Sequence, residues 1–67
     1  MNKTLEKALH LSAIAALAIE EDHAEIHQDD PEADPREASD RLRLARKARR
    51  DAVVAYLTFV RDSKHAA

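Results

Sequence analysis

Apolar positions recur at intervals of three and four residues in two long stretches of the chain, residues 3–28 and 35–63. This spacing is typical of amphipathic α-helices. Between them lies an acidic segment that contains Pro31 and ends at Pro35. Each proline lacks an amide hydrogen and pushes the preceding residue out of helical geometry, so one continuous helix is excluded. The pattern predicts an all-α fold in which residues 1–67 form a single domain, an antiparallel hairpin of two helices.

Capping residues mark the predicted start of each helix. Asn2 or Thr4 has a short polar side chain that can accept a hydrogen bond from a free amide at the start of helix one. At the start of helix two, we expect Asp34 to be the cap and Pro35 to occupy the first helical position. Proline suits that position because the missing amide hydrogen has no intrahelical partner there.

Each predicted helix has more than one apolar face when it is laid out at about 100° per residue. On helix one, we expect the face toward helix two to consist of Leu5, Ala8, Leu9, Ser12, Ala16, Ile19, His23 and Ile26. On helix two, the matching face consists of Ala38, Leu42, Ala45, Ala48, Ala52, Ala55, Tyr56 and Phe59. A turn centred near residue 32 would pair these faces, and it would also set the acids of residues 20–25 opposite the arginines of residues 41–46.

The leftover apolar side chains predict self-association. One partner helix can cover only one stripe, and a hairpin of 67 residues without cysteine has a thin interior of its own. We therefore expect a homodimer or larger assembly in which hairpins form a four-helix or larger bundle. The predicted interface between copies consists of Leu11, Ile14, Leu17, Ala18, Val53, Val54, Leu57 and Val60.

A basic stripe on helix two is the main candidate for ligand binding. It consists of Arg36, Arg43, Arg46, Lys47 and Arg50. Such a stripe could bind the phosphates of RNA or DNA, or an acidic protein. Eight acids and no lysine or arginine occur in residues 20–34, however, and the formal net charge of the chain is −2. A solvated helix face is therefore the favoured interpretation, with nucleic-acid binding as the alternative.

Glu20, His23 and His27 are a candidate metal site, because they share one helix face at spacings of three and four residues. Two imidazoles one turn apart can chelate a divalent ion. The expected neighbour across the hairpin is the cationic Arg41, which would oppose a metal. The favoured interpretation is that the histidines are the polar ends of the apolar stripe, and neither a metal nor another cofactor is predicted.

The function predicted from these features is that of a small non-enzymatic regulatory or adaptor protein, acting through homo-oligomerisation and contact with another protein. The chain has no glycine, so no glycine-rich loop can form an oxyanion hole. The longest apolar run, residues 13–19, is too short to cross a bilayer, so no membrane partner is expected. With no cysteine that would call for an oxidising compartment, the predicted location is the cytoplasm.

Overall fold

The computed structural model describes residues 2–65 and contains two α-helices packed against each other in a hairpin. Helix α1 spans Lys3–Gln28 and helix α2 spans Pro35–His65. The hairpin is slender, with principal extents of 53 × 16 × 13 Å. The predicted helical hairpin is confirmed. The predicted bounds of α1 agree with the structure, whereas α2 continues two residues beyond the predicted end at residue 63.

The start of α1 is capped by Asn2. Its backbone is extended (φ −69°, ψ 125°), and its side-chain oxygen accepts a hydrogen bond from the Thr4 amide at 2.8 Å. The Asn2 carbonyl accepts the first helical hydrogen bond, from the Glu6 amide, at 3.0 Å. Of the two capping residues predicted for α1, Asn2 is therefore the one that is used.

The turn between the helices is held by aspartate side chains. The Asp30 carboxylate accepts a hydrogen bond from the Glu32 amide at 2.9 Å, and the Asp34 carboxylate accepts one from the Arg36 amide at 3.0 Å. Asp34 thereby caps α2, and Pro35 begins the helix as predicted. No residue in the described part of the chain has a positive φ angle. The turn can therefore close without the conformational freedom of glycine.

Contacts at three levels define how the helices face each other. Near the open end, the His10 ring lies 5.0 Å from the Phe59 ring, centroid to centroid. In the half nearer the turn, Glu21 of α1 pairs with arginines of α2. Next to the turn, the Gln28 side-chain amide donates a hydrogen bond to the Ser39 hydroxyl at 3.2 Å. These contacts establish the antiparallel packing and identify the side of α1 that contacts α2.

The face of α1 that contacts α2 differs from the predicted one. The predicted face is exposed: Leu5 is 52%, Leu9 56%, Ile19 55% and Ile26 69% accessible to solvent. The contact face consists instead of His10, Ile14, Leu17, Glu21, Ala24 and Gln28 together with the flanking Ala18. The expectation that Ile14, Leu17 and Ala18 lie behind the helix contact is therefore wrong, and all three are half-buried.

The physical reason for this correction is an arginine on the facing helix. Arg49 lies seven residues from Leu42 and seven from Tyr56, so it occupies the middle of the α2 contact face. A cation in such a contact is costly unless a carboxylate pairs with it. The α1 face that contains Ile14 and Leu17 provides Glu21 for that purpose, whereas the predicted face has no carboxylate.

The predicted contact face of α2 is confirmed except at Ala55. Ala38 and Leu42 are buried, whereas Ala45, Ala48, Ala52, Tyr56 and Phe59 are half-buried. Ala55 is exposed, as are Val54 and Leu57 on the outer side. Within the described residues the buried apolar core consists only of Ala24, Ala38 and Leu42. The hairpin thus has very little interior for its length.

Candidate functional site

The largest candidate surface is an apolar stripe on the side of α1 that faces away from α2. This outer stripe consists of Leu5, Leu9, Ser12, Ala16, Ile19, His23 and Ile26, and all seven residues are exposed. Its spacing alternates between four and three residues, which is the heptad pattern of a helix that packs against another helix. From Ser12 onward, each residue of the stripe lies two positions after a residue of the face that contacts α2. That step is a rotation of about 200°, which places the stripe on the opposite side of α1.

The outer stripe is long and continuous. From Leu5 to Ile26 it covers three heptads, or about 32 Å of helix at 1.5 Å per residue. Its centre carries the small side chains of Ser12 and Ala16, whereas Leu and Ile occupy both ends. Small central residues allow another helix to approach closely, and bulky residues at the ends supply most of the apolar area that could be buried.

Helix α2 contributes smaller exposed apolar groups. Val54 is 56% exposed and Leu57 58%, and they lie about one helical turn apart on the outer side of α2. Leu44 is also 58% exposed, but it stands alone among polar neighbours. Scattered exposed leucines are common on protein surfaces, whereas a continuous stripe is not. The outer stripe of α1 is therefore the stronger candidate for a binding surface.

An ionic cluster joins the helices in the half of the hairpin nearer the turn. The Glu21 carboxylate accepts hydrogen bonds from two nitrogens of the Arg49 guanidinium, and it lies 3.5 Å from Arg46 Nε. Arg46 also reaches Glu25, with Nη2 3.4 Å from Oε1. The Glu21 side chain is only 11% exposed, whereas Glu25 is half exposed. The hydrogen bonds from Arg49 lower the pKa of Glu21 below its ordinary value, and the same contact raises the pKa of Arg49.

Sequence reasoning missed Arg49 as a member of this cluster. Of the predicted pairs between the acids of residues 20–25 and the arginines of residues 41–46, those of Arg46 with Glu21 and Glu25 are confirmed. Arg43 instead pairs with Asp40 on its own helix, and Arg49 lies outside the predicted range. The signal that could have found it is the seven-residue spacing from Leu42 to Arg49 and from Arg49 to Tyr56. This spacing places a cation inside an otherwise apolar contact face, where it needs a carboxylate opposite.

The predicted basic stripe lies beside a shallow cleft near the turn, of about 530 Å³. The cleft is lined by Gln28, Ser39, Leu42, Arg43, Arg46, Lys47, Arg50 and Asp51. Three of the five stripe residues are paired with carboxylates. Besides the contacts of Arg46, Arg43 lies 3.5 Å from Asp40, and Lys47 lies 2.9 Å from Asp51. Arg36 and Arg50 form no ion pair among the described residues, so only part of the positive charge is available to a ligand.

The two candidate metal-binding histidines, His23 and His27, lie near the turn. His23, Ile26 and His27 line an open cleft together with Asp29, Asp30 and Arg41. His23 is exposed and His27 half-buried, and the cationic Arg41 belongs to the same cleft. Within residues 2–65 no three His, Cys, Asp or Glu side chains are grouped closely enough to hold a metal ion. Among these residues, Glu20, His23 and His27 are therefore not brought together as a set of ligands.

Comparison with known proteins found no relative. The chain matches no protein-family model, no curated protein and no solved structure. Neither described helix combines the length and the apolarity that crossing a membrane would require. Among the candidate surfaces of this chain, the outer stripe of α1 extends over the greatest length of helix.

Proposed function

We propose that this chain is a non-enzymatic helical hairpin that acts by binding protein, first a second copy of itself and then a partner protein. The observation that carries the proposal is the distribution of apolar side chains in the described residues. The buried core consists of Ala24, Ala38 and Leu42, whereas eight large apolar side chains are between 45% and 69% exposed. A surface of this kind is typical of a protein that becomes stable by association.

Association would supply the apolar burial that the hairpin lacks. Removing apolar surface from water stabilises a protein by about 25 cal/mol for each Å². Alanine provides little such surface, and Leu42 is the one large side chain in the buried core of the described residues. The Leu and Ile side chains of the outer stripe would provide considerably more once a second hairpin covered them.

The proposed interface differs in part from the set expected from sequence. Of that set, Leu11, Val54 and Leu57 are exposed and remain available to a second copy. The other members are half-buried: Ile14, Leu17, Ala18, Val53 and Val60. We therefore assign the main contact between copies to the outer stripe, flanked by Leu11. Two hairpins joined in this way would form an assembly of four helices.

A regulatory or adaptor role suits this arrangement. The hairpin presents an apolar stripe on α1, an acidic turn and a basic stripe on α2, and each of these can recognise a complementary protein surface. The cytoplasm is the proposed location, because a fold without cysteine is equally stable in a reducing compartment.

Sedimentation equilibrium over a wide range of concentrations tests the proposal. We expect the unmodified chain to be a dimer or a larger species, and the L9E/I19E variant to be shifted toward monomer. Leu44→Glu is the matched control, because Leu44 is as exposed as Leu9 but lies on α2, away from the outer stripe. A chain that remains monomeric at every concentration would refute the proposed function.

A second candidate function is binding to an anionic polymer such as RNA or DNA. It is favoured by the basic cleft, which contains four cationic side chains and a single carboxylate, Asp51. Binding would have to compete with the ion pairs of Arg43, Arg46 and Lys47, which makes this the weaker candidate. Retention of a mixed RNA and DNA pool at low salt, weakened by R43A/R50A but not by Arg61→Ala, would support it. No uptake of either polymer at low salt would exclude it.

A further inference from the structure

We propose that the second copy binds through the outer stripe with α1 antiparallel to α1 of its partner and with the two-fold axis at Ala16. This inference rests on the proposed function and adds the orientation and register of the contact. The proposed contact joins two identical helices through a two-fold axis, so each contact between two different residues occurs twice. Two features of α1 support it: the near-symmetric spacing of the stripe about Ala16 and the separation of charge along the helix.

The outer stripe has three positions on either side of Ala16, and their distances from Ala16 agree to within one residue. When Ala16 is set opposite Ala16 of the partner subunit, Leu9 lies level with the partner's His23, and Ser12 lies within one residue, about 1.5 Å, of the level of the partner's Ile19. Leu5 likewise lies within one residue of the level of the partner's Ile26. Every stripe position thus meets another stripe position, and the pairings repeat through the two-fold axis. The small side chains of Ser12 and Ala16 lie at the centre, where the helices approach most closely.

The distribution of charge on α1 selects the antiparallel orientation. All the acids that follow Glu6 on this helix lie in residues 20–28, and the acidic turn continues them. Residues 8–19 contain no acid and no lysine or arginine, and Lys3 and Lys7 precede them. Antiparallel pairing brings Glu20 and Asp22, which flank the stripe, beside the neutral segment of the partner helix. It also brings the end that contains the lysines near the acid-rich end of the partner helix.

A parallel pairing would instead align the acid-rich ends of the two helices. The acids of residues 20–25 would lie at the same level as those of the partner, with both acidic turns at the same end. The negative charges gathered at that end would repel one another, and the dipoles of two parallel helices would add to the repulsion. The same apolar stripe could serve either orientation, so the charges are what distinguish them.

Disulfide crosslinking tests the register directly, because the chain has no cysteine of its own. An Ala16→Cys variant of the full chain should form a covalent dimer under mild oxidation, since a residue at the two-fold axis meets its own copy. Leu9→Cys and His23→Cys should each remain largely uncrosslinked alone and should form a mixed disulfide when the two variants are combined. Thr58→Cys, on an exposed position of α2, is the control and should stay monomeric on denaturing gels.

The outcomes separate the register from the proposed function. Circular dichroism checks that each cysteine variant is as helical as the unmodified chain, and sedimentation reports association independently of crosslinking. If the chain associates but Leu9→Cys crosslinks with itself and the mixed pair does not, the helices are parallel and this inference is wrong, while the proposed function stands. If Ala16→Cys crosslinks no more than Thr58→Cys in an associating chain, the outer stripe is not the interface and the inference is also overturned. A chain that does not associate at all overturns both.

Discussion

Glu21 on α1 and Arg49 on α2 are joined by two hydrogen bonds, in which two guanidinium nitrogens donate to the two oxygens of one carboxylate. Glu21 is the most buried charged side chain among the described residues. Paired charges of this kind contribute more to the choice of one packing arrangement than to its free energy. Here the pair explains why α1 presents its Ile14 and Leu17 side to α2 and leaves its more apolar side exposed.

Because of the pair between Glu21 and Arg49, the free energy of unfolding should fall as the pH drops below the ordinary pKa of a glutamate carboxyl. The pKa of Glu21 is lowered in the folded chain by the hydrogen bonds from Arg49, so the folded state binds a proton less readily than the unfolded state. The stability due to this pair is therefore fully present above the unfolded pKa of about 4.3. It is lost as the pH falls through the lowered folded pKa.

Comparison of the unmodified chain with Glu21→Gln measures this effect. In thermal unfolding at neutral pH, the variant should melt at a lower temperature, because it lacks the charged carboxylate that Arg49 and Arg46 require. The difference in melting temperature should narrow as the pH falls below about 4. Glu20→Gln changes an exposed neighbour and should melt close to the unmodified chain at all these pH values. A gap between Glu21→Gln and the unmodified chain that is constant across pH would contradict the assignment.

Leu42 and Leu44 provide a test of how thin the core is. Leu42 is 5% exposed, whereas Leu44, two residues later on the same helix, is 58% exposed. Replacing Leu42 with alanine should lower the free energy of unfolding by roughly 2–5 kcal/mol, because it removes the one large side chain of the core. Leu44→Ala should change it by no more than about 0.5 kcal/mol. Urea unfolding of both variants gives the comparison, and equal effects would show that Leu42 is not the centre of the packing.

Local signals in the sequence were sufficient to predict the hairpin and most helix ends. Asn2 and Asp34 cap their helices through side-chain oxygens, and Pro35 begins α2, as their positions indicated. These features depend on residues close together in the chain, so their physics can be evaluated from a short segment. The end of α2 is less well marked, because no glycine or proline follows it and the helix continues past residue 63 to His65.

The rotation of α1 could not be predicted from its own pattern. Helix α1 carries two opposed stripes, and the one that contains Leu5, Leu9 and Ile19 is the more apolar by composition. The choice between them depends on pairing across the hairpin, where Glu21 meets Arg49 and His10 meets Phe59. The face that contacts α2 is decided by the free energy of the whole packed hairpin and not by the apolarity of one face. The apolar periodicity of α1 alone therefore favours the wrong face. For the same reason, the interface predicted from sequence includes Ile14 and Leu17, although both are half-buried within one hairpin.

Asp34 should contribute measurably to the stability of α2 through its cap. Its carboxylate accepts the Arg36 amide hydrogen bond at 3.0 Å, and its carbonyl accepts one from the Ala38 amide at 2.9 Å. Replacing Asp34 with alanine removes only the side-chain acceptor and should cost about 0.5–2 kcal/mol. Asp34→Asn retains a side-chain oxygen and should recover most of that loss. Thermal unfolding measured by circular dichroism distinguishes these outcomes, and identical melting of the alanine and asparagine variants would argue against a capping role.

The ring of His10 should support the packing of the two aromatic side chains at the open end of the hairpin. It lies 5.0 Å from the Phe59 ring and 5.9 Å from the Tyr56 ring, with tilted geometry in both cases. Such contacts are worth about 0.5–1.5 kcal/mol beyond the area that they bury, so His10→Ala should destabilise the hairpin by at least that amount. His10→Phe retains an aromatic ring and should preserve the packing. Tyr56 is the only tyrosine and the chain has no tryptophan, so the tyrosine band of the near-ultraviolet circular dichroism reports on the surroundings of this one residue. An unchanged Tyr56 signal in His10→Ala would show that the rings do not pack together in solution.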